Sequence, residues 1–202
     1  MAFCAFMAPR TAPLPAKLTP ADLKAARNRT IDDIMDPGLR VLFCGINPGL
    51  YSGATGWHFA RPGNRFWPAL HRAGFTHRQL HPSEQHELLG LGMGVTNLVP
   101  RTTATADELS DDELRAGGVR LRGLVRQYMP GWLAVVGVSA YRVAFGATEA
   151  TVGRQTITLG ETGLWVLPNT SGINAHYQLP RLVEAFAALR DAAFGPKVPP
   201  TD

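Results

Sequence analysis

The chain has 202 residues, of which 45% are hydrophobic and 18% charged, a composition typical of a globular protein and not of a disordered one. It contains only two cysteines, Cys4 and Cys44, which excludes a four-cysteine zinc or iron–sulfur site and favours a reduced, intracellular protein. The formal net charge is +4, and all but three of the 20 basic residues are arginines. Arginine suits phosphate recognition, but a GC-rich coding sequence produces the same excess, so composition alone leaves both explanations open.

No stretch of the sequence is apolar over the roughly 18 residues that a membrane-spanning helix needs. Prolines and Arg10 interrupt the apolar N-terminal residues, which therefore do not resemble a signal peptide. We expect a soluble, cytoplasmic protein. Residues 1–19 are predicted to form a flexible tail, residues 20–194 a single domain, and residues 195–202 a frayed end.

The first predicted element is a helix over residues 20–35, because Thr19 can cap it and Pro20 suits the first helical position. An apolar run at 40–44 then predicts a buried strand. Residues 45–63 hold five glycines and two prolines with little periodicity, which indicates a long structured loop.

The rest of the chain alternates between capped, amphipathic segments that predict helices and apolar runs that predict strands. The helices are predicted at 64–72, from Ser83 over the next turns, at 110–128, 139–145 and 179–194; the strands are predicted at 94–99, 132–137, 155–159 (an edge strand) and 163–167.

The main strands are uninterrupted apolar runs, which is typical of a parallel sheet covered on both faces. We therefore predict an α/β fold, a three-layer α/β/α sandwich around a central four-stranded, mainly parallel sheet. Ligands bind such sheets outside the carboxyl ends of the strands. The loops at 45–63, 100–108 and 168–178 are accordingly the candidate site.

The first of these loops opens with the turn GINPG, at residues 45–49, from which Asn47 would project into the cleft. An asparagine that satisfies its own turn backbone is the alternative. Farther along, Phe59 lies among other aromatic residues and is followed by Arg61 and Arg65. This combination can supply a stacking platform and phosphate contacts for a nucleic acid.

The third loop is small and polar except for Ile173, which stands between Gly172 and Asn174. A lone isoleucine at such a tip is unusual as packing. It makes sense as a wedge that enters a base stack when a nucleotide leaves it.

Other chemistry has weaker support. The six histidines show no metal-binding spacing, and no glycine-rich phosphate or dinucleotide motif is present. Ser139 follows a predicted strand but lacks the second glycine of a nucleophile elbow, so we interpret it as a helix cap. We expect no metal and no cofactor.

Three motifs together resemble the mismatch-specific uracil-DNA glycosylases, the family that includes thymine-DNA glycosylase within the uracil-DNA glycosylase superfamily. They are VLFCGINPGLYSGATGWHFARPGNRFWPAL, GVTNLVPRTT and WVLPNTSGIN, in the family's order, and the resemblance runs from about residue 36 to 194. It implies the same α/β/α fold. It also implies a monofunctional, cofactor-free enzyme that excises uracil, and in some relatives thymine or damaged pyrimidines, from mismatches with guanine and leaves an abasic site.

The resemblance also implies roles for the matched residues of the first motif. Asn47 would position the attacking water, and Phe59 would stack on the flipped base. Gly45, Ile46 and Tyr51 complete the predicted base-binding residues.

The last motif matches the family's segment that occupies the vacated duplex and contacts the opposite guanine, with Ile173 at the intercalating position. Thr170 replaces a usual proline and Ala175 an often basic residue, departures that would loosen the turn and remove one contact. The predicted wedge and opposite-base residues are Asn169, Ser171, Gly172, Ile173 and Asn174.

With this resemblance, the arginine excess favours DNA binding. Arg61, Arg65 and Arg101 are predicted to contact phosphates. Three arginines of the long predicted helix are expected to be solvated surface: Arg120, Arg122 and Arg126.

The amide of Asn47 cannot take up a proton at neutral pH, so we expect slow turnover that depends strongly on the leaving base. Asp107 lies near the rim of the predicted site. It is either a solvated residue before a helix or a carboxylate that assists water activation.

The expected partner is double-stranded DNA with a mismatched or damaged pyrimidine, bound by a monomer that needs no protein partner and is nucleoid-associated if bacterial. Two alternatives stay open. One is a non-catalytic mismatch-binding protein. The other is a nucleosidase-like hydrolase of free nucleosides, which would have no use for a wedge at Ile173.

Overall fold

A five-stranded sheet forms the centre of the part of the chain that the structure, a computed structural model, describes: residues 18–172 and 177–196. Its strands are β1 (Val41–Gly45), β2 (Met93–Asn97), β3 (Trp132–Val136), β4 (Gly153–Leu159) and β5 (Thr162–Leu167). Their spatial order is β2-β1-β3-β5-β4; β4 pairs antiparallel with β5, and the other four strands are parallel. The four predicted central strands are confirmed, and β4 is the predicted edge strand.

The described residues form seven α-helices: α1 (Pro20–Ala25), α2 (Leu50–Thr55), α3 (Phe66–Arg72), α4 (Glu87–Gly90), α5 (Asp111–Tyr128), α6 (Val138–Phe145) and α7 (Leu179–Phe194). One face of the sheet packs against α3 and α7, and the other face packs against α5 and α6. This arrangement confirms the three-layer α/β/α sandwich. No helix in the described ranges has the length and apolar character needed to cross a membrane.

The strand β1 shows why the central strands have no polar alternation. Val41 and Phe43 belong to the core beneath α3 and α7, whereas Leu42 and Cys44 belong to the core beneath α5 and α6. Successive side chains of a strand point to opposite faces, and here both faces are covered by helices. Cys44 is a buried free thiol, and burial raises its pKa.

The predicted helix over 20–35 is too long. The helix α1 starts as predicted, with Thr19 and Asp22 forming a capping box, but it ends at Ala25. Asn28 then adopts a left-handed φ of 61°, which a continuing helix does not allow. The following residues run alongside β2, where Ile34 forms an antiparallel bridge with Val95.

The predicted loop over 45–63 contains a helix, α2, that the sequence pattern did not reveal. Gly49 and Gly56 flank this helix, and Gly56 has the left-handed φ of 77° that often ends helices. Gly53 lies inside the helix. Only glycine fits there, because a Cβ at this position would stand 2.5 Å from the hydroxyl oxygen of Thr102. Gly53 thus permits close packing and Gly56 permits the turn that ends the helix, so the number of glycines was misleading as a sign of a loop.

Two smaller predictions also need correction. The segment from Ser83 splits into a 3-10 turn at Pro82–Glu84 and the short α4. Ser139 is not a helix cap, because α6 already begins at Val138 and Gly137 precedes it.

Candidate functional site

The carboxyl ends of the parallel strands open onto a cleft of about 310 Å³, the edge at which this type of sheet binds ligands. All three loops predicted from the sequence contribute to its walls. Among the predicted site residues, those that line the cleft are Ile46, Asn47, Phe59, Arg61, Asp107, Asn169 and Ser171.

The side chain of Asn47 is held by three acceptors. Its Nδ2 lies 2.7 Å from Oγ1 of Thr103, 3.1 Å from the carbonyl oxygen of Arg101 and 3.2 Å from that of Pro48. Carbonyl oxygens only accept, so this side of the amide must be the nitrogen. The other atom of the planar amide, the carbonyl oxygen Oδ1, therefore points away from these three acceptors.

Thr103 strengthens this assignment. Its hydroxyl donates to the carbonyl oxygen of Thr105 at 2.7 Å, so the same hydroxyl can act toward Asn47 only as an acceptor. Asn47 Oδ1 accepts no hydrogen bond within the described part of the chain. The residue that was predicted to position water thus presents a fixed acceptor and does not merely satisfy its own turn.

Phe59 forms an aromatic wall of the cleft. It adopts an uncommon positive φ of 53°, and its ring stacks on the fully buried ring of Phe66, with 3.9 Å between centroids and 13° between planes. Phe66 covers one face of the Phe59 ring, so a base can stack only on the remaining surface.

Of the other predicted base-binding residues, only one lines the cleft. Ile46 lines the cleft, whereas Gly45 and Tyr51 are not among its lining residues; Ser52, the neighbour of Tyr51 in α2, lines it instead. Gly45 is needed for close approach, because a Cβ there would lie 2.5 Å from Asn97 Oδ1 and 3.3 Å from the Phe59 ring.

His58 and Asn97 form a buried pair in the cleft wall that the sequence analysis missed. Nε2 of His58 lies 3.0 Å from the carbonyl oxygen of Asp32, to which it must donate. Nδ1 then accepts from Nδ2 of Asn97 at 3.2 Å. Burial lowers the pKa of His58, which keeps this neutral tautomer.

The pairing also orients Asn97, whose Nδ2 is engaged by His58 and whose Oδ1 lies against Gly45 at the base of the cleft. The available signal was the position of Asn97, a polar residue that ends the buried strand β2 at the carboxyl edge of the sheet.

The three arginines that were predicted to contact phosphates differ in their surroundings. Arg61 is exposed at the cleft and remains available. Arg65 donates to the carbonyl oxygens of Gly172 at 2.6 Å, Ser171 at 3.1 Å and Tyr177 at 2.6 Å. Arg65 therefore ties together the two ends of the third loop.

Arg101 is paired with Glu113 through both carboxylate oxygens, and its Nη2 also donates to the carbonyl oxygen of Glu108 at 3.2 Å. This bidentate pairing compensates the charge of Arg101 and argues against the predicted phosphate contact. Arg101 contributes to the site through its main chain, whose carbonyl oxygen accepts from Asn47.

Two adjacent acids behave differently in the 3-10 turn at Ala106–Glu108. Glu108 pairs with Arg27 and accepts from the backbone N–H groups of Ala104 and Thr105, so it stabilises the turn. Asp107 is exposed, lines the cleft and makes no hydrogen bond within the described ranges. Its position is compatible with the predicted assisting role.

The described start of the third loop turns tightly. Asn169 accepts from the backbone N–H of Ser171 at 2.8 Å, and a Cβ on Gly172 would lie 2.6 Å from the carbonyl oxygen of Gly63. Thr170 is buried, and its carbonyl oxygen accepts from the Arg65 backbone. The predicted wedge residue Ile173, together with Asn174 and Ala175, lies outside the described residues.

The residues that the structure describes include no group of three or more His, Cys, Asp or Glu side chains that could hold a metal ion. The polar groups that line the cleft include the oriented amides of Asn47 and Asn97, the neutral His58 and the exposed carboxylate of Asp107.

The sheet and its cleft define an α/β protein with a pocket of small-molecule size at the carboxyl ends of parallel strands. The family model described as the uracil DNA glycosylase superfamily matches residues 33–191. Because the match covers most of the chain, the protein belongs to the uracil-DNA glycosylase superfamily. Members of this superfamily are glycosylases, hydrolases that act on DNA in base excision repair.

Proposed function

We propose that the protein is a mismatch-directed, monofunctional glycosylase that removes uracil from G:U pairs in duplex DNA and leaves an abasic site. Thymine and damaged pyrimidines are further candidate substrates. The observation that carries this proposal is the fixed amide of Asn47, whose free oxygen belongs to the wall of a cleft with an aromatic face.

Base release requires the nucleotide to leave the duplex, at a cost of a few kcal/mol that is smallest for a mispaired base. In the proposed complex the pyrimidine lies on the free surface of Phe59. The Asn97 amide oxygen, at the base of the cleft, would accept from a pyrimidine N–H. Ile173 fills the vacated stack, and the exposed Arg61 contacts a nearby phosphate.

Cleavage of the base–sugar bond gives the sugar cationic character while the base departs as an anion, as in glycoside hydrolysis. Asn47 Oδ1 would accept a hydrogen bond from the attacking water and orient it. It cannot remove the proton, since an amide is not a base at neutral pH. Backbone N–H groups of the first loop would stabilise the departing base.

Asp107 is the proposed proton acceptor for this water, because it is the exposed carboxylate of the cleft wall while Glu108 is engaged elsewhere. General-base assistance of this type typically contributes 10²- to 10⁴-fold to a rate. We further propose that the enzyme acts as a monomer, without metal or cofactor, in the cytoplasm, or on the nucleoid if bacterial.

The proposal is tested with end-labelled duplexes that carry one G:U, A:U or G:T pair, and with single-stranded uracil DNA and free uridine. Alkali-sensitive cleavage reports abasic sites. We expect the fastest cleavage for G:U and none for uridine. Tight binding without abasic sites would instead indicate a mismatch-binding protein, and release of uracil from uridine would indicate a nucleosidase.

A further inference from the structure

One face of α5 contacts the segment at residues 97–101 at three successive points. Glu113 pairs with Arg101, with Nη2 and Oε2 at 2.9 Å. Gly117 lies against Leu98, where a Cβ would stand 2.5 Å from the carbonyl oxygen. Arg120 donates to the carbonyl oxygen of Asn97 at 2.9 Å.

The spacing of these three helix residues is i, i+4 and i+7, so they form a single stripe on α5. Arg120 is not the solvated surface residue that the sequence suggested. It also pairs with Asp33, whose other carboxylate oxygen accepts from Thr96. The stripe therefore holds the end of β2 and the chain that follows it.

This segment carries one amide of the cleft, Asn97, and an acceptor for the other, Asn47. The Arg101 carbonyl oxygen accepts from Asn47 Nδ2 at 3.1 Å, and the Asn97 side chain itself lines the cleft. A shift of the segment relative to α5 would move an acceptor of the first amide and the backbone of the second. Small misplacements of reacting groups lower rates steeply, by up to about 100-fold for 1 Å.

We propose that Glu113 and Arg120 are positioning residues, which act through the segment 97–101 to orient the Asn47 and Asn97 amides in the cleft. This inference rests on the proposed glycosylase function. The Arg101 guanidinium also holds the pKa of Glu113 at about 2, so the ion pair persists at every pH where the enzyme would work.

The test begins with Glu113→Gln, which keeps an acceptor for the helix cap at Ser110 but removes the charge that pairs with Arg101. We expect roughly tenfold slower single-turnover uracil release with duplex affinity little changed. The matched control is Asp112→Asn, in the same helical turn but highly exposed, which should retain the wild-type rate.

The second variant is Arg120→Met, compared with Arg126→Met at an exposed position of the same helix. We expect only Arg120→Met to slow base release. Arg120→Lys should recover part of the rate, since lysine retains the positive charge and N–H donors, although all on one nitrogen. Rates are measured below each variant's unfolding temperature, so that a loss of folded protein is not counted as a loss of rate.

A double-variant cycle separates positioning from a general structural role. If Glu113 acts through Asn47, Glu113→Gln should have little further effect in an Asn47→Ala background. Equal effects of Glu113→Gln in both backgrounds would overturn the inference.

A readout that needs no activity distinguishes failure of the inference from failure of the proposed function. The side-chain NH₂ resonances of Asn47, assigned by their loss in Asn47→Ala, should shift in Glu113→Gln and not in Asp112→Asn. Unshifted resonances would overturn the positioning role even in an active enzyme. If they shift while the wild-type protein releases no base, the proposed function fails and the contact geometry is upheld.

Discussion

Thr103 accepts a hydrogen bond from the side-chain amide of Asn47 at 2.7 Å while its own hydroxyl donates to the Thr105 carbonyl oxygen. Both bonds lie within the protein, so they fix the direction of the amide without a contribution from a ligand. Asn47 is therefore oriented before substrate arrives, and an oriented group needs little reorganisation in the transition state.

Replacing Thr103 by valine tests this orientation directly. Thr103→Val removes an acceptor but keeps the shape of a buried side chain, so Asn47 gains rotational freedom. We expect single-turnover uracil release to fall roughly tenfold, consistent with one lost hydrogen bond to an essential group. Thr103→Ser keeps the hydroxyl and should stay close to wild type; equal rates for Thr103→Val and wild type would contradict the role of Thr103.

The acceptors around Asn47 also predict how a carboxylate would behave there. In Asn47→Asp, an oxygen replaces the Nδ2 that now faces Thr103 and two carbonyl oxygens. Three acceptors disfavour the charged form, so the pKa of the new carboxyl should lie above its usual value of about 3.9. The folded variant then binds its proton more tightly than the unfolded chain does.

The sign of the linkage follows from that difference. Folding raises the pKa of such a carboxyl. The folded state therefore loses stability as pH rises from the pKa of the unfolded chain to the higher pKa of the folded protein. The melting temperature of Asn47→Asp should therefore fall further below that of wild type at pH 8 than at pH 4. A constant difference, or a variant more active than wild type at pH 7, would contradict the assigned amide orientation.

His58 predicts a second pH effect. Burial lowers its pKa, so the unfolded chain takes up a proton as pH falls below about 6.5 while the folded protein resists it. Stability contributed by neutral His58 is thus lost as pH decreases through that range. In denaturant titrations from pH 8 to 5, His58→Gln should lack this decrease.

The control for this experiment is His77→Gln, since His77 is exposed. It should retain the wild-type loss of stability on acidification. If His58→Gln shows the same loss, another group is responsible and the neutral tautomer bonded to Asp32 and Asn97 is not supported.

Two glycines of α5 provide a matched pair for packing. A Cβ at Gly117 would lie 2.5 Å from the Leu98 carbonyl oxygen, whereas Gly123 has open space around it. Gly117→Ala should cost about 1–3 kcal/mol through overpacking against backbone, and Gly123→Ala should gain roughly 0.5–1 kcal/mol of helix propensity. Urea denaturation measures both, and a neutral or stabilising Gly117→Ala would contradict the close contact.

Regular elements with local signals could be predicted from the sequence. The Ser110–Glu113 capping box marked the start of α5, and the apolar face of α7 gave its full extent. The central strands were evident because both faces of the sheet are buried. The helix α2 could not be predicted in this way, since its interior glycine, Gly53, is explained by a close contact with Thr102, which is distant in sequence.

In the site, too, features with a local sequence signal could be predicted, and features that depend on contacts between distant residues could not. Asn47 and Phe59 lie in one loop with recognisable composition, and both line the cleft. The pairing of His58 with Asn97 joins residues 39 positions apart, and that of Arg101 with Glu113 depends on how α5 packs. Arg101 therefore looked like a free cation in the sequence, and Asn97 looked like an ordinary strand end.

The central claim is that Asn47 orients the water that releases the base, with Asp107 assisting. The most direct measurement is single-turnover uracil release from a G:U duplex by wild type, Asn47→Ala and Asp107→Ala, with the exposed Gln127→Ala as control. We predict a loss of at least about 100-fold for Asn47→Ala, a smaller loss for Asp107→Ala and none for Gln127→Ala. Full activity in Asn47→Ala together with a loss in Asp107→Ala would contradict the account.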